Sequence, residues 1–253
     1  MEKSISQTYS KISIMNKVFE IGIEIIQRIQ ETQSEKLEEV GKRIAHAHMN
    51  GNKFFVTGSG HSHTLAEELY GRAGVIAFTI PIMTSELMIN EHPTKSSYIE
   101  RLPGYAAILA ELYHIQENDI VMIASNSGRN AYPIEMAIEA KKRNAFVVAI
   151  TNIDHSKKTT SRHASNKKLM DIADIVIDNC GVIGDSAIKL DGMNATICPT
   201  SSMANAFIAQ AINVACVEEL LRNGQNPEVF VSLNCDGNED VNDILFRKYT
   251  RVY

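Results

Sequence analysis

The sequence has no pair of cysteines at metal-binding or redox spacing, no excess of basic charge and no low-complexity linker. Cys180, Cys198, Cys216 and Cys235 stand apart from one another and from any histidine at zinc-finger spacing. They are expected to be small buried residues in a reducing compartment. No stretch approaches the roughly 20 apolar residues that cross a bilayer, and the N-terminus opens on Glu2 and Lys3 rather than on an apolar leader. A cytoplasmic protein without a membrane partner is expected. The formal net charge of −5 argues against a nucleic-acid partner, because affinity for a phosphate backbone rests on clustered Lys and Arg. A small phosphorylated ligand stays open, since a few local donors can hold one.

What is present reads as one large α/β domain. Hydrophobic residues make up 44% and charged residues 22%, enough for a well-buried core in 253 residues. Residues 1–52 form an N-terminal helical element, 53–223 the α/β core and 224–253 an extended C-terminal tail with a short helix from Asp240. Within 14–50, Val18, Ile21, Ile25, Ile29, Leu37, Val40 and Ile44 recur at helical spacing, with Ser34 as an N-cap between two helices or at a break in one. Lys and Arg total 7 in residues 1–52, as do Asp and Glu, a balance that suits packing or dimerisation rather than DNA binding.

Short apolar runs then alternate with helical stretches. Strands are expected at Lys53–Thr57, Ile76–Ile80, Ile120–Ala124, Ala145–Ile150 and Ile175–Asp178. Helices are expected at His63–Gly74, Tyr105–His114 and Tyr132–Arg143, with a helical turn at Lys168–Ile172. Strands apolar throughout rather than alternating require helices on both faces, so the sheet is parallel and doubly wound, with order 2-1-3-4-5. A long helix over 201–223, capped by Thr200 or Ser201, is apolar on so many sides that a homodimer or homotetramer is expected.

Two strands run into glycine and serine where the next helix begins. The first turn is Thr57-Gly58-Ser59-Gly60-His61-Ser62-His63, and the second is Ala124-Ser125-Asn126-Ser127-Gly128-Arg129-Asn130. Glycine lets the backbone approach a ligand, and free amides of a first helical turn attract anions. In the expected strand order these turns flank the point where chain direction reverses, where ligands bind in such sheets. A dinucleotide site fits poorly: Gly58-x-Gly60 has His63 in place of a third glycine, and no acidic residue follows the second strand closely. The Walker A pattern is absent.

Gly58-Ser59-Gly60, Ser125-Asn126-Ser127-Gly128 and Thr151-Asn152 resemble the SIS (sugar isomerase) family, which includes phosphoheptose isomerase and the isomerase half of glucosamine-6-phosphate synthase. The similarity spans roughly residues 35–222, and Ala66-Glu67-Glu68-Leu69 with Gly71-Arg72 is similar to phosphoheptose isomerase in particular. The resemblance implies that Ser59, Ser125, Ser127 and the amides of Gly128–Asn130 hold a phosphate, with Gly58, Gly60, Asn126, Arg129 and Asn152 shaping or lining the cradle. Two departures stand out. Asn130 stands where many SIS proteins carry Ser or Thr while Arg129 adds a charge, and the histidines of phosphoheptose isomerase are missing: Thr64 stands at one place and the last long helix has none.

Aldose–ketose isomerisation needs a base beside the reacting carbon and a second group for ring opening. Glu68 is the expected base, and His61 or His63 the group that opens the ring. No metal and no cofactor are expected, because His61, His63 and Glu68 lack a convincing fourth ligand. The leading reading is a phosphosugar isomerase; a non-catalytic phosphosugar sensor and a phosphosugar lyase or etherase are the alternatives. Glu86, Glu91, His92, Glu100 and Arg101 lie in a long connection after the second strand, expected as a lid or as a reach toward a neighbouring subunit. Lys157, Lys158, Arg162, Lys167 and Lys168 form a basic loop expected at the surface.

Overall fold

In the computed structural model, which describes residues 13–236 and 240–249, five short apolar runs form the central sheet. The first twelve residues and the last four lie outside the described residues. The strands are β1 (Phe54–Gly58), β2 (Thr79–Ile82), β3 (Ile120–Ala124), β4 (Phe146–Thr151) and β5 (Ile175–Asp178). They pair in parallel in the order β2-β1-β3-β4-β5, as the apolar patterning predicts. Side chains alternate between two buried faces. Phe54, Val56, Met122, Val148 and Ile150 meet one helical layer, and Phe55, Val121, Ile123, Val147 and Ala149 meet the other.

The second layer consists of α4 (Tyr105–Leu112) and α5 (Ala131–Lys142), through Leu109, Ala110, Met136, Ala137 and Ala140. The first consists of α1 (Asn16–Met49) and α7 (Ser201–Arg222), through Ile25, Ile29, Val40 and Ile44 against Ala204, Ile208, Ile212 and Cys216. The N-terminal element is thus one unbroken helix of 34 residues, not two. Ser34 does not cap, because its hydroxyl donates back to the Gln30 carbonyl and the helix continues through it.

Gly41 marks the closest approach of α1 and α7. A Cβ placed there would sit 2.5 Å from Ala215 Cβ and 2.8 Å from the Cys216 amide nitrogen. Gly41→Ala is therefore expected to lower stability by about 1–3 kcal/mol through overpacking, although alanine favours helices. Gly22→Ala, whose Cβ would meet only Met203 Sδ at 3.7 Å, is expected to raise it by about 0.5–1 kcal/mol. Urea unfolding of the two variants reads the opposite signs, and equal effects would reject the close crossing.

Other elements depart from expectation. The stretch expected as a helix over His63–Gly74 divides into a 3-10 turn (Gly60–His63) and the five-residue α2 (Thr64–Glu68). β2 begins three residues later than expected, since Ile76 instead bridges to Val229 and donates its amide to Asn213 Oδ1. Two helices were not anticipated, α3 (Pro93–Ile99) and α6 (Ile153–Lys158). Nor was an antiparallel hairpin of β6 (Ser186–Lys189) and β7 (Thr196–Pro199).

The hairpin delivers Asp185 to the start of α7, where its carboxylate accepts from the amides of Thr200 and Ser201 at 3.1 and 2.7 Å and from both hydroxyls. A distant carboxylate, not Thr200 or Ser201, caps the helix. The tail carries the short helix expected from Asp240: α8 (Val241–Tyr249) docks Leu245 and Phe246 against Val75, Ala77 and Phe230. All four cysteines are free, with Cys180 and Cys216 buried, Cys198 partly so and Cys235 exposed. Among the described residues α7 is the one helix long and apolar enough to cross a membrane, with a mean hydropathy of 1.2, and half of that stretch is buried within the fold. Phe207, Val214 and Leu221, spaced seven apart along α7, are each more than half exposed.

Candidate phosphosugar site at the sheet edge

Because β1 pairs with β3 in register, Gly58 lies opposite Ala124 and the two glycine–serine turns leave the sheet side by side. The turns stand at the point where the strand order reverses, as expected for a ligand site in an open α/β sheet. Gly58 permits the first turn, since a Cβ there would meet the Ser62 carbonyl oxygen at 2.5 Å and the His63 amide nitrogen at 3.0 Å. Gly60 takes a φ of +58°, which glycine adopts at little cost, and its amide donates to the Leu87 carbonyl at 2.9 Å.

The side chains of this turn differ in availability. His61 is exposed at its mouth. His63 is buried, with Nδ1 against the Gly60 carbonyl and Nε2 3.0 Å from Glu67 Oε1, so both ring nitrogens are engaged within the protein. The Ser59 hydroxyl is buried and has no partner among the described residues. Glu68, the last residue of α2, is held on both oxygens: Arg72 Nη1 donates to Oε2 at 2.6 Å and Gln210 Nε2 of α7 to Oε1 at 2.7 Å.

The second turn rests on a scaffold of amides. Asn126 Oδ1 accepts from Asn179 Nδ2 at 2.9 Å, and the Asn126 carbonyl accepts from the Asn152 amide at 3.1 Å. Asn152 gives its side-chain amide to the Gly181 carbonyl at 2.7 Å and accepts the His155 amide at the start of α6, also at 2.7 Å. Asn126 and Asn152 are therefore occupied in supporting the turn. Ser125 is buried, and its Oγ accepts from the Gly128 amide at 3.2 Å, which leaves its proton free to donate. Ser127 is partly exposed, and its hydroxyl has no acceptor among the described residues. Gly128 has a φ of +60°, and its carbonyl accepts the Leu169 amide at 2.8 Å. Asn130 ends the turn just before α5.

Two segments read as surface features converge here. In the basic loop, the Arg162 amide donates to the Arg129 carbonyl at 2.8 Å, and Arg162 Nη1 donates to Asn130 Oδ1 at 3.2 Å. Arg129 Nη2 lies 3.4 Å from Thr160 Oγ1, while its buried Nε has no partner among the described residues. Burial first, then the nearby Arg162 and Arg101 guanidiniums, draws the Arg129 pKa below its ordinary value. Three cations thus gather at one turn, an arrangement that a bound dianion relieves.

The connection between β2 and α4 spans both turns. Leu87 receives the Gly60 amide at the first, and the Glu100 carbonyl receives the Tyr132 amide at 2.9 Å at the second. Burial, its largest influence, raises the Glu100 carboxyl's pKa above the usual carboxylate value, with the Asn130 side chain and the Arg101 and Arg162 guanidiniums opposing it. Its length signalled a functional connection, but nothing local in the sequence pointed to the second turn as its destination. No group of three or more His, Cys, Asp or Glu side chains is placed to hold a metal among the described residues.

Comparison with known proteins agrees with this arrangement. A family model described as the SIS domain matches residues 19–152, just over half the chain and both turns. A UPF0309 protein of Halalkalibacterium halodurans is 42% identical over 90% of this chain and 94% of its own. Phosphoheptose isomerase GmhA from Neisseria gonorrhoeae superposes with a TM-score of 0.52 at 17% identity, over 81% of this chain and 96% of its own. The Vibrio vulnificus NanR protein complexed with ManNAc-6P gives 0.52 at 15% identity, over 95% and 72%. At such identities the two structures speak for the shared fold, whereas the model match decides the family: the chain belongs to the SIS domain family.

Proposed function

We propose that this protein binds a phosphorylated sugar across the turns after β1 and β3 and isomerises it by moving a proton between adjacent carbons. The observation that carries the reading is the convergence of both turns with three guanidiniums. Ser125 and Ser127 offer hydroxyls, and the amides of Arg129 and Asn130 have no acceptor among the described residues. Arg129, Arg162 and Arg101 supply the charge that a phosphate dianion balances. The SIS fold is found both in a phosphoheptose isomerase and in a protein complexed with ManNAc-6P, so it suits catalysts and binders alike.

Enediol chemistry then requires a carboxylate within reach of the sugar carbons. Glu68, the base expected from the sequence, Glu67 and Glu100 are carboxylates on segments adjoining the turns, and Glu67 is held by His63 Nε2 at 3.0 Å. His61, exposed at the mouth, is the histidine free to assist ring opening, since His63 is fully engaged. A homodimer or homotetramer has its natural contact along Phe207, Val214 and Leu221 of α7, and sedimentation of the wild-type chain reads the assembly directly.

The test of binding is calorimetric titration with glucose 6-phosphate, fructose 6-phosphate and N-acetylglucosamine 6-phosphate beside the unphosphorylated sugars. At least one phosphate ester is expected to bind at least about 100-fold more tightly than its parent sugar, since charged hydrogen bonds contribute about 1.5–3 kcal/mol each. Equal affinity for ester and parent would overturn the phosphate cradle. Binding with no proton exchange at carbon would leave the sensor reading in place of the isomerase.

A further inference from the structure

We propose that Asn179 is a positioning residue of the cradle: it fixes the side chain of Asn126 so that the second turn presents an N–H donor, not an acceptor, to an oxygen of the bound phosphosugar. The inference rests on the phosphosugar reading of the site and adds to it a residue that lies outside both turns. Asn179 follows β5, and its backbone amide donates to the Thr151 carbonyl at the end of β4 at 2.9 Å. Its side chain is buried against the second turn, where Asn126 stands between Ser125 and Ser127.

A side-chain amide has a donor at one end and an acceptor at the other, and a half-turn exchanges them. Backbone groups, whose polarity is fixed, select the orientation here. The His155 amide can only donate, so the end of Asn152 that it meets at 2.7 Å is the oxygen. The Gly181 carbonyl can only accept, so the end of Asn152 that it meets at 2.7 Å is the nitrogen. That nitrogen also lies 3.2 Å from Asn179, and the Gly181 amide lies 3.1 Å from the same atom. Two donors thus fix this atom as Asn179 Oδ1. Asn179 Nδ2 is left to face Asn126, and it donates to Asn126 Oδ1 at 2.9 Å. Asn205 Oδ1 of α7, 3.5 Å away, lies on the side of its second proton. Asn152, Asn179 and Asn205 are no more than 4% exposed, so water does not stand in for a lost partner.

The chain of fixed polarity ends at Asn126. Its side-chain oxygen is taken, the residue is partly exposed, and its Nδ2 has no acceptor among the described residues. Turning this amide over would set its nitrogen against Asn179 Nδ2 and leave a buried donor unpaired, which burial makes costly. Asn179 cannot turn with it, because the Gly181 amide and Asn152 Nδ2 would then face a nitrogen. Asn126 is therefore held as a donor before any ligand arrives, next to Ser125, whose Oγ already accepts from the Gly128 amide and has its own proton to give. Phosphate oxygens and a sugar carbonyl accept hydrogen bonds without donating, and they are the groups this arrangement fits.

The experiment is a double-mutant cycle read by calorimetry, with inorganic phosphate and with whichever of the three sugar phosphates named above wild type binds most tightly. Asn179→Asp keeps an oxygen for the Gly181 amide and for Asn152 but turns a second oxygen toward Asn126, which must then swing its nitrogen inward and its oxygen to the ligand. Asn126→Ala is expected to weaken the ester about 10- to 100-fold, the loss of one hydrogen bond to a charged oxygen, and Asn179→Asp by at least as much. In the Asn126→Ala background the Asn179→Asp change is expected to cost a factor at least about tenfold smaller, because nothing is left to orient. Asn179→Ala, which frees Asn126 without adding charge, is expected to cost about 3- to 10-fold, again only while Asn126 is present. It decides the question should the aspartate variant fail to fold. A loss shared by inorganic phosphate places the accepting oxygen on the phosphate group, and a loss confined to the ester places it on the sugar. A purely structural Asn179 would cost the same factor in both backgrounds, and that result overturns its positioning role. Unchanged affinity in Asn126→Ala, with binding lost in the Ser125→Ala and Ser127→Ala double variant, overturns this inference alone. Absence of binding in wild type overturns the cradle and the inference together.

Discussion

Replacing Ser125 and Ser127 together by alanine is expected to weaken binding of a sugar 6-phosphate by about 100- to 10,000-fold while the fold persists. Each hydroxyl is proposed to donate to a charged oxygen, worth about 1.5–3 kcal/mol, so losing two removes about 3–6 kcal/mol. Stability should change little. Neither side chain packs in the main core clusters, and the Ser125 amide keeps its bond to the Ile150 carbonyl at 3.0 Å. The cost in the free protein is confined to the Gly128 amide, which loses its acceptor in Ser125 Oγ. Calorimetry paired with thermal unfolding separates the two effects. Unaltered affinity in the double variant would show that the phosphate lies elsewhere.

Gly58→Ala is expected to damage the fold and the site at once. Its Cβ would meet the Ser62 carbonyl carbon and oxygen at 2.6 and 2.5 Å, atoms of backbone that no rotamer change moves aside. The 3-10 turn must then lift away from β1, straining the contact of Gly60 with Leu87 and pulling the first turn from beside the second. Overpacking of this kind costs about 1–3 kcal/mol, and a clash against backbone belongs at the upper end. Urea unfolding should therefore show a loss of about 3 kcal/mol, with phosphosugar affinity falling in the same variant. Stability within about 0.5 kcal/mol of wild type would mean that the turn relaxes freely and that glycine is not required there.

Much of this architecture was legible because the informative signal is local. Ile120–Ala124 and Ile175–Asp178 are apolar runs with clear boundaries, and both form strands over those residues. The two glycine–serine turns were readable for the same reason, and the pairing of Gly58 with Ala124 follows from the strand order. What escaped depends on distant partners. Residues 75–78 are as apolar as a strand, yet they are covered by Phe230 and by α8, which the chain reaches some 150 residues later. Ser34 carries a capping signal that α1 overrides by packing on α7. The hairpin had a signal that went unused, Asp191-Gly192 between two short runs. Glu100 was expected in a lid or reaching a neighbouring subunit, and Arg162 in a surface loop, because only the tertiary fold brings both segments to the second turn. Site chemistry written in single long-range side chains leaves no periodicity to read.

The carboxylate of Asp185 has a consequence for how the molecule meets anions. Two of the leading amides of α7, together with two hydroxyls, already surround a negative group supplied by the chain itself. The positive pole of that helix is neutralised from within, and a free dianion approaching it would face like charge. A sulfate or inorganic phosphate ion is accordingly expected at the proposed cradle beside Arg129 rather than at the hairpin.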